Sequence, residues 1–271
     1  MGVVAHLRSS WKNRNTTETS MQYGICPLSI IPVRDTPDGL AAMTSQLLFG
    51  ELYKIVETRK YWSKIRNAFD RSEGWISNAQ LHFVSQQDYN DLAAKETHAY
   101  STDLVSYVSD AHNRLVPVLM GSCLDGAHLL SLDHEGTVCS GKSSRETLIK
   151  TALLYLNAPE LAGGKTPFGL DAGGFAQMVY RIHGRKLLRS AQEQSMQGTA
   201  LSFVEESEPG DLAFFDNTNG VIDHVGIIMD NNYIIHVNGR VRIDRLDHTG
   251  IFNNDLRNYS HSLRVIKKII P

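Results

Sequence analysis

Two histidines and one helix start hold most of the chemistry this sequence offers. His224 and His236 stand in apolar, strand-like runs, His224-Val225-Gly226-Ile227 and Ile234-Ile235-His236. An imidazole titrates near neutral pH, so it can take and return a proton or ligate a metal through either ring nitrogen. Eleven residues separate the pair, with no further Cys or His close by in the sequence, and that is not the spacing of a zinc site. A lone strand histidine is otherwise a core or rim residue satisfied by hydrogen bonds. Upstream, Asp171-Ala172-Gly173-Gly174-Phe175 reads as a helix start: Asp171 is a good N-cap, Phe175, Met178, Val179 and Ile182 recur at helical spacing, and Gly184 stops the run. The three cysteines, Cys26, Cys123 and Cys139, form no C-x-x-C pair. Neither Cys123 nor Cys139 precedes a helix, so both are expected to fill core space rather than react.

These residues need a scaffold. After a Pro209-Gly210 turn, runs rich in Ile, Val and Phe follow one another, with Asp230-Asn231-Asn232 and Asn238-Gly239 as hairpin turns. Together with the helix they predict an α+β domain, a helix packed on a meandering antiparallel sheet, over residues 143–271. A further helix is expected over 144–157 from the spacing of Leu148, Ala152, Leu153 and Leu156. Short apolar runs with Pro/Gly/Asp punctuation predict a small β-barrel over 21–84, where Trp62 and Trp75 read as barrel core. Residues 85–142 read as a second small β module, with a polar helix near 88–97 and strands at 115–120, 128–132 and 137–139. Residues 1–20 are polar and read as a disordered extension without a secretory apolar core. Met21 is then a candidate first residue of the folded part.

Composition narrows the classes. The chain has 271 residues, 42% of them hydrophobic, and 27 Lys+Arg against 29 Asp+Glu. That is enough apolar content for packed cores, and the balance of charge gives no basic field for gathering phosphates, so nucleic acid is not expected as a partner. No apolar run approaches the ~18 residues of a membrane helix. Unpaired cysteines and the missing leader point to the cytoplasm, with a periplasmic or envelope-associated location as the alternative.

Four blocks in order, Asp171-Ala172-Gly173-Gly174-Phe175, Gly210-Asp211-Leu212-Ala213-Phe214-Phe215, His224-Val225-Gly226-Ile227 and Ile234-Ile235-His236, resemble the NlpC/p60 cysteine peptidases of bacterial cell-wall metabolism. The N-terminal β module resembles the bacterial SH3-type domain that precedes the peptidase in γ-D-glutamyl-diamino-acid endopeptidases. The resemblance implies a papain-like domain preceded by one or two small SH3-type barrels, and no cofactor. It also implies a cysteine nucleophile at the helix start, His224 as its base and His236 as the residue that orients the base. At the nucleophile position stands Ala172, whose methyl group neither ionises nor attacks a carbonyl.

Other positions depart from the family as well. Ala41-Ala42-Met43 replaces Ser-Glu-Met, whose Glu helps hold the substrate's free amine, and Ser72-Glu73-Gly74-Trp75 replaces Tyr-Glu-Gly-Trp. Arg189-Ser190-Ala191 replaces Arg-Asp-Ser/Ala, and the usual Pro-Tyr-x-Trp-Gly-Gly reads Pro159-Glu160-Leu161-Ala162-Gly163-Gly164. The family's pocket positions are therefore Asp171, Gly173, Ala42, Ser72, Glu73, Arg189 and Ser190, several of them degenerate. An engineer trapping a substrate changes one residue and keeps the pocket, so the pattern favours a natural homologue that has lost catalysis. Its expected role is binding or regulatory, with a peptidoglycan-derived peptide or a protein as partner. The alternatives are a genuine endopeptidase whose Cys was deliberately replaced by Ala, and an interaction module in which the peptidase domain is scaffold.

Overall fold

The computed structural model describes residues 21–270, so the extension expected over residues 1–20 lies outside them. The N-terminal unit is a seven-stranded antiparallel sheet in the order Met43–Leu48, Ile30–Arg34, Glu73–Ser77, Trp62–Asn67, Leu52–Thr58, Tyr23–Ile25, Phe83–Val84. Its core is Cys26, Ile31, Val33, Leu47, Tyr53, Ile65 and Ile76. Trp75 is buried and Trp62 half-buried, and the Arg59 guanidinium lies 4.5 Å from the Trp75 ring.

The next segment opens with the helix Gln86–Ala93, capped by Ser85 Oγ accepting from the Asp88 amide. Its strands fall into a three-stranded sheet, Leu115–Leu119, Val105–Ser109 and Asp133–Glu135, and a separate pair, Val138–Ser140 with Ala99–Ser101. The strand expected at 128–132 does not form. Ala127–Leu130 is instead a turn of 3-10 helix, ended by Ser131 in the left-handed conformation. Ala127 and Leu130 both pack with Phe49, Val108 and Val118. A 3-10 turn puts residues three apart on one face, whereas a strand would send them to opposite sides. This segment is tied to the first where the Cys123 amide donates to the Phe49 carbonyl at 2.9 Å. Gly50 lies at the contact with φ 76, and a Cβ there would fall 1.7 Å from the Cys123 carbonyl oxygen.

In the C-terminal domain the helix Arg145–Leu154 is capped by Ser144, and the helix Ala172–Ile182 by Asp171. Every residue of the second helix is buried. The meandering antiparallel sheet after it closes on itself. Strand Asn258–Lys268 pairs with both Leu212–Asp216 and Gly250–Asn253, so six strands close into a barrel in the order 258–268, 212–216, 222–229, 233–238, 240–246, 250–253. Thr199–Leu201 pairs with residues 266–268 of the Asn258–Lys268 strand, on the edge away from Leu212–Asp216. Irregular registers at Phe214/Phe215 and Ile251/Phe252 supply the bends that closure needs. The barrel strands present two rows. Leu212, Phe214, Val225, Ile227, Ile235 and Val237 pack with the buried helix, while Ala213, Phe215, Ile228, Ile234, Leu246, Ile251 and Ile266 form the second cluster, inside the barrel. Period-2 alternation puts His224 and His236 in that inner row, with Ile228 and Ile234.

A buried ion cluster joins this helix to the N-terminal unit. Glu51 accepts from Lys165 Nζ at 3.0 Å, from Asn67 Nδ2 at 3.0 Å and from Arg181. Gln177 Nε2 donates to Asp70 at 2.9 Å, and Arg181 lies between the Phe69 and Tyr100 rings. Burial works to raise the Glu51 carboxyl, but the Lys165 and Arg181 charges win and hold it below its usual value. The helix that presents Ala172 is thus fixed by charge pairing as well as by apolar contact.

Candidate active site

The first part of the site is the start of the Ala172–Ile182 helix. Asp171 Oδ1 accepts from the Gly174 amide at 2.7 Å and Oδ2 from the Gly163 amide at 2.9 Å. Buried Arg189 donates to the same two oxygens, both at 2.8 Å, and its Nε donates to Ser45 Oγ at 3.0 Å. A carboxylate has about four acceptor positions, and all of those on Asp171 are taken within the protein. Asp171 and Arg189 therefore lock the helix start rather than offer free charge to a ligand. The two glycines allow the lock to close: a Cβ on Gly173 would lie 2.6 Å from the Arg189 carbonyl oxygen, and one on Gly174 only 2.2 Å from that of Gly164. Ala172 follows the cap, 8% exposed. The first amides of a helix lack intrahelical partners and carry the positive end of its dipole, which is the setting that favours a thiolate.

The second part is a polar chain inside the barrel. His224 Nε2 lies 2.9 Å from His236 Nδ1, and His236 Nε2 lies 3.0 Å from Asp244 Oδ2. Burial works to raise the Asp244 carboxyl, but hydrogen bonds from His236 and Arg242 hold it down at about 2, so it is an ionised acceptor. That fixes the tautomers. His236 Nε2 must carry its proton toward Asp244, its Nδ1 is then a lone pair, and His224 Nε2 must donate to it. His224 Nδ1 is left as a basic lone pair. This is the order of base, orienter and carboxylate expected of a proton-transfer chain. Burial, then the neighbouring His261 and His236, push His224 well below the ordinary histidine value, so its resting form is neutral.

Sequence spacing missed two members of this group. Asp244 is 1% exposed on the strand Arg240–Leu246, held by a two-pronged pair with Arg242. His261, on the strand Asn258–Lys268, stacks on His224 with ring centroids 3.9 Å apart. A third histidine thus joins the pair from a distant part of the sequence: ligand atoms of His224, His236 and His261 all lie within 4.8 Å of one another. Barrel closure causes this, because it brings in a strand that lies far along the chain.

The remaining nominated residues are distributed differently. Ala42 is exposed just before the strand Met43–Leu48, and the Met43 carbonyl abuts Gly163 of the turn that Asp171 binds. Ser72 donates to Asp70, which in turn accepts from Gln177 of the buried helix. Glu73 pairs with Lys64 and Arg66 on the outside of its sheet. Ser190 is exposed and caps the short helix Ala191–Gln194 in a reciprocal box with Glu193. A cavity of about 270 Å³ lies at the opposite end of the helix from Ala172, where Arg181, Gly184 and Lys186 meet Glu51, His98 and Cys123. No helix among the described residues is long and apolar enough to cross a membrane.

Residues 161–258 match the NlpC/P60 family, and residues 33–81 match the bacterial dipeptidyl-peptidase Sh3 domain. A gamma-D-glutamyl-L-lysine dipeptidyl-peptidase of Bacillus cereus is 25% identical over 225 residues, covering 72% of this chain and 67% of that protein. Dipeptidyl-peptidase 6 of Lysinibacillus sphaericus is 29% identical, covering 78% and 87%. The crystal structure of an NlpC/P60 family protein from Bacillus cereus superposes with a TM-score of 0.74 at 17% identity, covering 92% of this chain and 100% of that one, which establishes a shared fold.

Proposed function

For a chain that carries an NlpC/P60 domain behind a bacterial SH3 domain, we propose a catalytically silent role, binding cell-wall stem peptides or regulating their handling. One observation carries this reading: at the helix start where the family's nucleophile stands, the first residue is Ala172, and the adjoining carboxylate of Asp171 is saturated by Arg189 and two amides. Supporting it, the family's amine-binding positions are Ala42, Ser72 and Ser190, and Ser190 is occupied as a helix cap. A stem peptide's ammonium buried there without a counter-charge costs on the order of several kcal/mol. The dipeptidyl-peptidase names of the relatives suggest the ligand class, peptides containing a γ-D-glutamyl-diamino-acid linkage. Such peptides occur at the envelope and in cells that recycle wall material, and the proposal covers both locations.

The intact Asp244–His236–His224 chain favours a second reading, a γ-D-glutamyl-diamino-acid endopeptidase that lacks only its thiol. Incubation of the protein with an L-Ala-γ-D-Glu-diamino-acid peptide, followed by mass spectrometry, tests the first reading. No product is expected, and turnover above buffer would end the silent-homologue reading.

A further inference from the structure

We propose that His224, His236 and His261 form a three-imidazole site for a divalent first-row transition-metal ion of the zinc class. Their ligand atoms lie within 4.8 Å of one another inside the C-terminal barrel. Three imidazoles from separate strands are a common protein ligand set for zinc, and they leave a four-coordinate ion one exchangeable position. Imidazole nitrogens also suit copper, nickel and cobalt.

The surroundings of two of the three ligands match the site. A ligating imidazole needs its second ring nitrogen held by a carboxylate, carbonyl or similar acceptor, which sets the tautomer and orients the ring. His236 has this from Asp244, which lies 3.0 Å from Nε2 and leaves Nδ1 as the lone pair facing His224. Arg242 pins Asp244 from the other side through two hydrogen bonds. His261 has Ser260 Oγ 2.9 Å from Nδ1, leaving its other nitrogen. His224 moves its proton from Nε2 to Nδ1 when the ion displaces the hydrogen bond to His236, and among the described residues no side chain or carbonyl accepts from that Nδ1.

One pair asks for little movement and another for more: the stacked His224 and His261 rings, with centroids 3.9 Å apart, must splay so that both lone pairs face one ion. Two nitrogens on a tetrahedral ion with bonds of about 2.05 Å are about 3.3 Å apart. The His224–His236 pair, at 2.9 Å, therefore opens by roughly 0.4 Å. No ligand comes from residue 172, so the proposal goes beyond the catalytic reading, but a bound ion takes His224 out of the base role, so cobalt uptake is measured on the chain with Ala172 and its outcome is separate from peptide turnover.

The test is titration of the untagged, full-length protein with Co²⁺ followed by visible spectroscopy, and then displacement by Zn²⁺. One equivalent of Co²⁺ with the intense bands of four-coordinate cobalt is expected, removed by one equivalent of Zn²⁺. His261→Asn, at a half-buried position, is expected to weaken uptake at least tenfold, and Asp244→Asn, which keeps the ligands but loses the orienting carboxylate, by about 10- to 100-fold. His261→Cys is expected to add a thiolate-to-cobalt charge-transfer band, a gain that misfolding cannot produce. The other group of this kind among the described residues is His98, Cys123 and Asp125, so Cys123→Ala is expected to leave the signal unchanged. The proposal is overturned by no cobalt uptake, by uptake indifferent to His261→Asn, by a silent His261→Cys spectrum, or by loss with Cys123→Ala.

Discussion

Replacing Ala172 by cysteine puts two effects in opposition, and the structure decides between them. A thiolate in the first helical turn gains roughly 1–2 kcal/mol from the dipole and the unpaired amides. At about 1.4 kcal/mol per unit, that lowers a thiol from about 8.5 to about 7.5. The His224 Nδ1 lone pair, if it accepts the thiol proton, lowers it further. Burial acts the other way, and Ala172 is only 8% exposed. Its strength is visible elsewhere in the chain, where burial pushes the Cys123 thiol up to about 12 despite the nearby Arg181 charge. Cys123 has no helix terminus beside it, and the Ala172 position does, so the lower value is expected. At pH 7.5 the two outcomes differ by roughly 10⁴ in thiolate population, and by about 10² in rate once the weaker nucleophilicity of a low-pKa thiolate is included. The assay is the pH dependence of reaction with an aromatic disulfide reagent, taken as the difference between Ala172→Cys and the unmodified protein, because Cys139 is partly exposed. A midpoint below about 8.5 that rises in Ala172→Cys/His224→Asn is expected. A midpoint above it would refute the reasoning that this helix start is an activating site.

Four further outcomes follow from the same geometry. Glu51→Gln leaves the buried Lys165 and Arg181 charges underpaired, which costs about 3–5 kcal/mol and lowers Tm by roughly 10 °C in a calorimetric scan. Gly174→Ala drives a methyl group to 2.2 Å from the Gly164 carbonyl oxygen and is expected to cost about 1–3 kcal/mol in urea unfolding. Arg189→Lys loses the two-pronged grip on Asp171 and is expected to increase amide exchange in the first turn of the Ala172–Ile182 helix while leaving Tyr180 and Arg181 protected. Burial holds His183 and His261 at about 4, below the unfolded value of about 6.5, so the unfolded chain binds more protons in that interval. Stability is therefore full above about pH 6.5 and falls as pH drops toward 4, by on the order of 2 kcal/mol per residue after allowance for solvent screening. His183→Gln, which keeps a partner for Thr151, is expected to flatten that slope in pH-dependent denaturation.

Local signals made the helix from Asp171 to Gly184 readable: the cap, the spacing of Phe175, Met178, Val179 and Ile182, and the terminal glycine are all encoded within a few residues. The hairpin turns at 230–232 and at Gly239 are equally local; the first brings His224 and His236 into one row and the second adds the strand of Asp244. The run at 128–132 is ambiguous in sequence because apolar residues three apart fit either a tight helical turn or an irregular strand, and packing of Ala127 and Leu130 against Phe49 selects the turn. Asp244 and His261 had no sequence signal. Asp244 looks like one more polar residue in an alternating strand, and His261 joins the site only because the last strand closes the barrel against Leu212–Asp216. The lock between Asp171 and Arg189 was also hidden, since both residues had the family's types and only their hydrogen bonds show that they satisfy each other.

On the silent-homologue proposal, catalysis here has lost more than a thiol. The most direct measurement is turnover of an L-Ala-γ-D-Glu-diamino-acid peptide by Ala172→Cys, with the disulfide-reagent titration confirming an activated thiol in the same sample. With that proposal a reactive cysteine and no peptide product are expected, because Ala42, Ser72 and Ser190 provide no carboxylate for the substrate's amine. Recovery of peptide cleavage by that single substitution would contradict it and establish the chain as an endopeptidase lacking only its nucleophile.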